Sequence, residues 1–465
     1  MILTGNSTSS VTFYSTERKI NFSTYVGDTK SSLLSIATTK NMNEASGTFQ
    51  IQLTPEKDSQ GLTWFDKIGI WDFVEIKLKG ILDKEEIVVM RGFVDTISYS
   101  EEFAGGVPQR SISISGRDLG CLLTDFSIYM IPELGEEAAA EALIGGPVWF
   151  KAVQKGVMGS AKEVFKFLVE IFFDQIDLII SDKGHVLGYL DWEAESFFSD
   201  LSTYLGYLKS YEGPWWNAFS QYQDKPFHEM FIYDTVDRSL FIFRPARLRD
   251  CNNAYPQIVR SLITNEKMYP PDWEITNNEK ISMTVSKTVS EIKNYYLSIP
   301  TLNIIAKQDF RGQAISANFD NPKNSKNPYF QMDPAFPSYL KKYGFRSYEF
   351  ETVYMDLDIG QEKGQGTEYV AETRDIFVKA GEALNKTLVA WFLHNPLLLN
   401  GTLTIAGTNR AIIGTYMVDH NEGMRYYIET VSHNFITLQS FTTTVGLVRG
   451  VPLIGLPEGS NKETF

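Results

Sequence analysis

Residues 403–450, LTIAGTNRAIIGTYMVDHNEGMRYYIETVSHNFITLQSFTTTVGLVRG, decide the fold, because a weaker version of the same pattern stands near the N-terminus. Ala411 to Asp419 reads as one strand and Met424 to Phe435 as a second, joined across Asn421, Glu422 and Gly423. From Phe441 to Val448, Phe441, Thr443, Val445 and Leu447 alternate with Thr442, Thr444, Gly446 and Val448, the two-residue period of a pleated strand. Three β-branched segments with glycine-containing turns read as an antiparallel meander. In the early copy Ile87 to Asp95 takes the place of Ala411 to Asp419, and Arg110 to Asp118 takes that of the closing strand. Each copy carries a Val-Asp step after an apolar run, Val94-Asp95 and Val418-Asp419. The expectation is a small β unit used twice.

The 465 residues are enough for two to four domains at about 100 to 200 residues each. Aromatic residues make up 13% of the chain, a surplus that suits sheets and large contact surfaces. The net charge of −14 argues against gripping nucleic acid, which takes a basic patch that releases counterions. Two cysteines, Cys121 and Cys251, supply neither a disulfide framework nor a metal-ligand spacing, and read as buried thiols in a reducing compartment. The N-terminus lacks the basic start and apolar block of a signal peptide, and no apolar run of about 18 residues suggests a membrane span.

Alternation at Phe49, Ile51 and Leu53, and again at Val74, Ile76 and Leu78, makes residues 1–120 an all-β unit, the first barrel. Thr63 to Trp71 reads as a short helix or packed loop. Residues 121–275 read as an inserted α/β domain. It holds an acidic helix at 136–143 and a second helix opened by the Ser160/Glu163 capping pair, with Val164, Phe165, Leu168, Ile171 and Phe172 on one face. A third helix starts after Pro214, and strands follow at Glu229 to Tyr233 and Ser239 to Arg244. Strand propensity over Lys280 to Ile299 opens a second β unit, 276–300 plus 371–452, interrupted by an irregular insertion at 301–370 where only Ser338 to Tyr343 looks helical. A helix from Thr373 to Leu393 precedes its closing strands, and 453–465 form a tail. The fold class is α+β, mostly β: two antiparallel barrel domains with inserted α/β segments.

Candidate chemistry is sparse. Glu429 and His433 share a strand face, and His228-Glu229 precedes a strand, but a metal needs further ligands that no nearby spacing supplies. An ordinary strand pair is the stronger reading, and no metal or cofactor is expected. The Gly-x-Ser-x-Gly and His-Glu-x-x-His patterns do not occur, and Gly105-Gly106 and Gly145-Gly146 lack the lysine of a phosphate loop. Paired carboxylates could serve a cell-wall hydrolase, a permissive argument with 57 acidic residues. Trp215 and Trp216 could stack on sugars in a receptor protein, although a Trp pair at a helix start more often packs inward.

Pro214 to Leu248, PWWNAFSQYQDKPFHEMFIYDTVDRSLFIFRPARL, resembles a region of the baseplate hub proteins of phage tails and related injection machines. The similar features are an aromatic-capped helix bearing Trp215 and Trp216, then Phe227 and Glu229 in Pro-Phe-x-Glu-Met-Phe, then Phe243, Arg244 and Pro245 closing a strand. Ser286 to Asn294 looks like the entry to that family's second barrel, and Tyr427 to His433 with Phe441-Thr-Thr-Thr and Arg449-Gly450 like its exit. Gly47-Thr-Phe, Arg91-Gly-Phe-Val-Asp95 and Ser115-Gly-Arg117-Asp118 resemble its first barrel.

The resemblance implies tube-protein-like barrels and a non-enzymatic homotrimer, in which three chains present six barrels to a six-fold tail tube above and three chains to a three-fold spike below. It implies as partners the tail tube or distal tube protein, the central spike, the tape-measure protein and the surrounding baseplate wedges. The implied location is the virion tail baseplate, assembled in the bacterial cytoplasm. DNA or an effector would pass along the lumen unbound, helped by three times the −14 charge of one chain. No hydrolase or fibre segment follows the second barrel here, unlike the long hub variants, which favours a structural role.

Overall fold

The computed structural model describes residues 7–15, 18–104, 107–127, 168–173, 176, 189–194, 213–223, 225–246, 269–300, 330–332, 337–352, 388, 391–392 and 395–454. Seven strands build the N-terminal lobe: β1 (Thr8–Tyr14), β2 (Lys19–Tyr25), β3 (Leu33–Asn41), β4 (Thr48–Leu53), β5 (Phe73–Lys79), β6 (Ile87–Ala104) and β7 (Val107–Asp118). Their inward residues, among them Val11, Phe13, Ile36, Ile51, Val74, Ile76, Ile112 and Ile114, close on one core. Alternate burial along β4, from Phe49 to Leu53, is what the sequence period requires of a strand with one wet face. Thr63 and Asp66 cap the single turn α1 (Trp64–Lys67).

The chain then leaves the lobe through α2 (Cys121–Asp125). It contributes β8 (Leu190–Ala194), α3 (Trp215–Gln223) and the hairpin β9 (His228–Asp234) and β10 (Ser239–Pro245). This hairpin is buried on both faces. Phe231, Leu240 and Ile242 pack with the C-terminal lobe, while Met230, Ile232, Phe241 and Phe243 pack with α2, α3, Leu168, Val169, Phe172 and Ile176. Its near-continuous apolar sequence follows from that position between two layers. Of the expected helices, 136–143 and most of those at 160–172 and 373–393 lie outside the described residues, while 168–173, 388 and 391–392 are helical. Cys121 is buried as expected, and Cys251 lies outside the described residues.

The C-terminal lobe comprises β11 (Trp273–Ile275), β12 (Lys280–Ser286), β16 (Leu399–Ala406), β17 (Tyr416–Asp419), β18 (Met424–Ile436) and β19 (Ser440–Pro452). A separate sheet of β13 (Tyr295–Pro300), β14 (Phe330–Met332) and β15 (Ser347–Thr352), with α4 (Pro337–Tyr343), intervenes. The strand expected over 411–419 is shorter than its sequence suggests: residues 411–415 form a loop, and only Tyr416–Asp419 pair with β18.

The two lobes repeat one strand order. β5-β6-β7-β4-β3 in the first matches β17-β18-β19-β16-β12 in the second, antiparallel throughout. Small irregularities recur at matched places. The β6/β7 ladder skips Asp95 and the β18/β19 ladder skips Glu429, while β3 skips Leu34 and β12 skips Ile281. A cross-strand aromatic pair recurs too: Phe73 and Phe93 lie 5.9 Å apart, Tyr416 and Tyr427 5.1 Å, both edge to face.

In this topology Ile87 to Asp95 is the counterpart of 421–429, so its expected correspondence with Ala411 to Asp419 is displaced by one strand. Arg110 to Asp118, in β7, does correspond to the closing strand β19, each lying between the same two neighbours of its lobe. The lobes are also continuous with each other. β3 pairs antiparallel with the far half of β18, from Asn41 opposite Thr430 to Ser35 opposite Ile436, making one curled 13-stranded sheet.

Candidate functional site

The β9–β10 hairpin is held at both ends by buried arginines, one from each direction. Arg91, near the start of β6, donates to Glu75 and, through its two terminal nitrogens, to the carbonyls of Thr235 (2.9 Å) and Val236 (2.6 Å) in the hairpin turn. That ties the N-terminal lobe to the turn. Arg244, near the end of β10, donates to Glu229 across the hairpin at 3.1 Å, and to the Gly414 carbonyl and Tyr427 hydroxyl of the C-terminal lobe. Tyr427 in turn donates to Glu229, and the Arg244 guanidinium lies over the rings of Phe231 and Tyr269.

Gly414 is required at its place. Its φ of 74° favours glycine, and a Cβ there would stand 2.4 Å from the Arg244 guanidinium. Burial raises the Tyr427 hydroxyl well above its ordinary pKa, and the Glu229 charge beside it adds to the effect, so it stays a donor.

Between these clamps Lys40 of β3 reaches Asp234 of the hairpin and Asp118 at the end of β7, the latter at 3.6 Å. Burial by itself depresses the ammonium, but Asp234 and Asp118 more than compensate and its pKa is raised. Asp118, buried beside Asp234, is pushed up to about 6 despite Lys40 and the amides of Gly47 and Gly120. Three chain segments far apart in sequence therefore share one charged cluster. It borders a cavity of about 200 Å³ lined by Thr38, Lys40, Val88, Asp234, Asn409 and His433.

The motif residues sort by location. Trp215, only 1% exposed, stacks on Phe219 in the core, and Trp216 packs partly buried beside it. Phe227 is buried, Phe243 stacks on the His228 ring, and Pro245 accepts from the Tyr269 hydroxyl. Val94 lies in the N-terminal core, while Asp95 and Asp125 bracket the half-exposed Arg117. Val418 and Asp419 end β17, where Asp419 pairs with Lys280 and accepts from the amides of Asn421 and Glu422. Arg449 lies over the Trp391 ring at 4.3 Å. Thus the structure joins Glu229 and Arg244 and leaves the Val-Asp pairs in strands that are not counterparts.

Glu429 and His433 do not combine: burial lowers His433 to about 4, and its Nδ1 lies 3.0 Å from the Thr443 hydroxyl. No group of three metal-ligating side chains occurs among the described residues. From the sequence, Lys40, Asp234 and Gly414 carry no site role, and Tyr427 enters only as the start of the motif ending at His433. A charge inside an otherwise apolar run, as at Arg91 within Ile87 to Val94, is the signal that marks such places, and Lys40, among Thr38, Thr39 and Asn41, carries no such signal.

No family model matches the chain, and no curated protein does. Solved structures do. A tail protein from Neisseria meningitidis MC58 aligns over 97% of both chains at 11% identity, with a TM-score of 0.46. The 43 kDa tail protein of prophage MuSo2 from Shewanella oneidensis aligns over 95% of this chain and 98% of its own, at 10% identity and TM-score 0.43. A type VI secretion system component from Escherichia coli, described as structurally similar to the T4 bacteriophage tail proteins gp27 and gp5, covers 92% of this chain and 78% of its own at 6% identity and TM-score 0.39.

Proposed function

We infer that this chain is a non-enzymatic structural hub of a phage or phage-like tail, a homotrimer that adapts a six-fold tube to a three-fold spike and surrounds the passage for DNA or effector. The observation that carries this reading is the repeated strand order of the two lobes and their fusion into one sheet through β3 and β18. A chain built of two alike lobes meets a six-fold neighbour with three copies, and the mismatch of symmetry is absorbed inside the chain. The buried carboxylates support a structural role as well: Glu229, Asp118 and Asp234 are engaged by Arg244 and Lys40 in ion pairs that tie the hairpin to the lobes.

The partners are those a hub meets: the tail tube or distal tube protein, the spike, the tape-measure protein and the baseplate wedges. The clamped hairpin serves as the rigid core from which both lobes are held. Native mass measurement of the purified chain, alone and with its spike, tests the reading. A mass of three chains is expected, and a stable species of two or four chains would sink it.

A further inference from the structure

The contact between β3 and β18 has two sides, and each side has a counterpart elsewhere in the chain. The matched skips at Asp95 and Glu429 equate Ser98, Tyr99 and Ser100 of β6 with Ser432, His433 and Asn434 of β18. Pairings through β4 and β16 equate Thr284, Val285 and Ser286 of β12 with Ala37, Thr38 and Thr39 of β3. In the intact contact Thr39 lies opposite Ser432, Thr38 opposite His433 and Ala37 opposite Asn434. The two counterpart edges take no such strand. Among the described residues β12 pairs with β16 alone, and residues 96–104 of β6 pair with β7 alone.

We propose that these two edges are the complementary halves of a contact between copies. In it β12 of one chain adds antiparallel to residues 96–102 of β6 in the next, in the register that sets Ser286 opposite Ser98, Val285 opposite Tyr99 and Thr284 opposite Ser100. The occupant is a second copy of this chain, and the proposal rests on the ring reading above, which it sharpens to named strands.

Side-chain chemistry across the two contacts agrees. Thr39 and Ser432 hydroxyls meet at 3.1 Å, and the counterparts Ser286 and Ser98 are again two hydroxyls. A β-branched residue faces a ring in both, Thr38 against His433 and Val285 against Tyr99. Just beyond, Lys40 opposite Val431 becomes Lys287 opposite Ile97. Exposure points the same way. Thr38 and His433 are 3% and 6% exposed, whereas Val285 and Tyr99 are 38% and 43% exposed.

Bare strand edges carrying apolar side chains recruit another strand unless charge, proline or a bulge blocks them. Here each edge finds its complement on the same molecule's neighbour. Because the halves differ, the contact is head-to-tail, and it closes a ring once the lobe-to-lobe rotation has been repeated around the axis.

Cysteine pairs test the register. Tyr99→Cys with Val285→Cys, and Ser100→Cys with Thr284→Cys, sample both kinds of antiparallel pair, whose Cβ atoms stand about 4.5–5.5 Å apart, close to disulfide reach. Under mild oxidation at least one double variant should give an interchain disulfide ladder ending at three chains. The out-of-register pair, Ser100→Cys with Ser286→Cys, and the single-cysteine parents should give none.

Equal linking by the out-of-register pair, or no linking in a protein whose native mass is three chains, overturns the edge assignment and leaves the hub reading standing. A ladder running past three keeps the edges and overturns the three-fold reading. A chain that stays monomeric and unlinked at high concentration overturns the proposed contact as a self-sufficient one.

Discussion

Replacing Arg244 with methionine keeps the length and apolar stem of the side chain while removing its charge and its donors. Arg244 is fully buried, and so, to within 7%, is the Glu229 side chain it pairs with. Breaking a buried pair from one side leaves the other charge uncompensated and costs about 3–5 kcal/mol. Here the Gly414 carbonyl and Tyr427 hydroxyl also lose a donor, so Arg244→Met should fall near the upper end. Removing Glu229 at the same time, as Arg244→Met with Glu229→Leu, takes away the stranded carboxylate and should return about 2 kcal/mol, a coupling within the range seen for residues in one network.

Urea unfolding followed by tryptophan fluorescence reads the effect. With a slope on the order of 3 kcal/mol per M, the single variant should shift the midpoint down by about 1–1.5 M and the double by about half that. A single-variant shift below about 0.3 M would refute the account of Arg244 as the tie between hairpin and C-terminal lobe, as would a double variant no better than the single.

Three further outcomes follow from the same geometry. Gly414→Ala, forced into a positive φ and against the Arg244 guanidinium, should cost about 1–3 kcal/mol and lower the thermal midpoint, whereas Gly423→Ala, with open space around it, should cost only its backbone strain. Burial depresses His228 to about 3 and His433 to about 4, below the 6.5 of an unfolded chain; such groups support the fold above pH 6.5 and withdraw that support as pH falls toward 4. Asp118, raised to about 6, acts oppositely by taking up its proton in the folded state first, but its gain of about 2 kcal/mol over this window is smaller than the combined loss of about 5–6 kcal/mol from the two histidines. Urea midpoints should therefore drop steadily between pH 6.5 and 4, and a rise over that window would contradict the burial of the imidazoles. Trp215→Ala, emptying a fully packed site, should cost about 3–5 kcal/mol and reduce soluble yield; a well-folded variant that lost only glycan binding would point to a receptor protein instead.

Local elements were legible because their causes are local. Alternation at Phe49, Ile51 and Leu53 put one face of β4 inward, and Pro214 before two tryptophans opened α3. The duplication was legible only in outline. Val94-Asp95 and Val418-Asp419 look alike as text, yet the true counterparts share a skipped acidic residue, Asp95 and Glu429, and an aromatic pair set by strand neighbours. A two-residue period cannot say which strand lies beside which, since every strand carries it. For the charged junction, Glu229 and Arg244 stood out within one hairpin, but Tyr427 and Gly414 enter from about 170 to 200 positions away. Proximity of that kind is created by the fold and has no signature in spacing.

The β3–β18 union also governs how the polypeptide emerges from the ribosome. Residues 35–41 are made early, while their partners at 430–436 follow about 390 residues later, which at about 5–20 residues per second is a wait of roughly 20–80 s. During that wait the nascent N-terminal half carries an open edge shaped to accept the closing strands of any sister chain. Ribosomes crowded on one message would therefore favour strand exchange between siblings, so weak induction, which thins out the sister chains, should yield more correctly closed protein than strong induction.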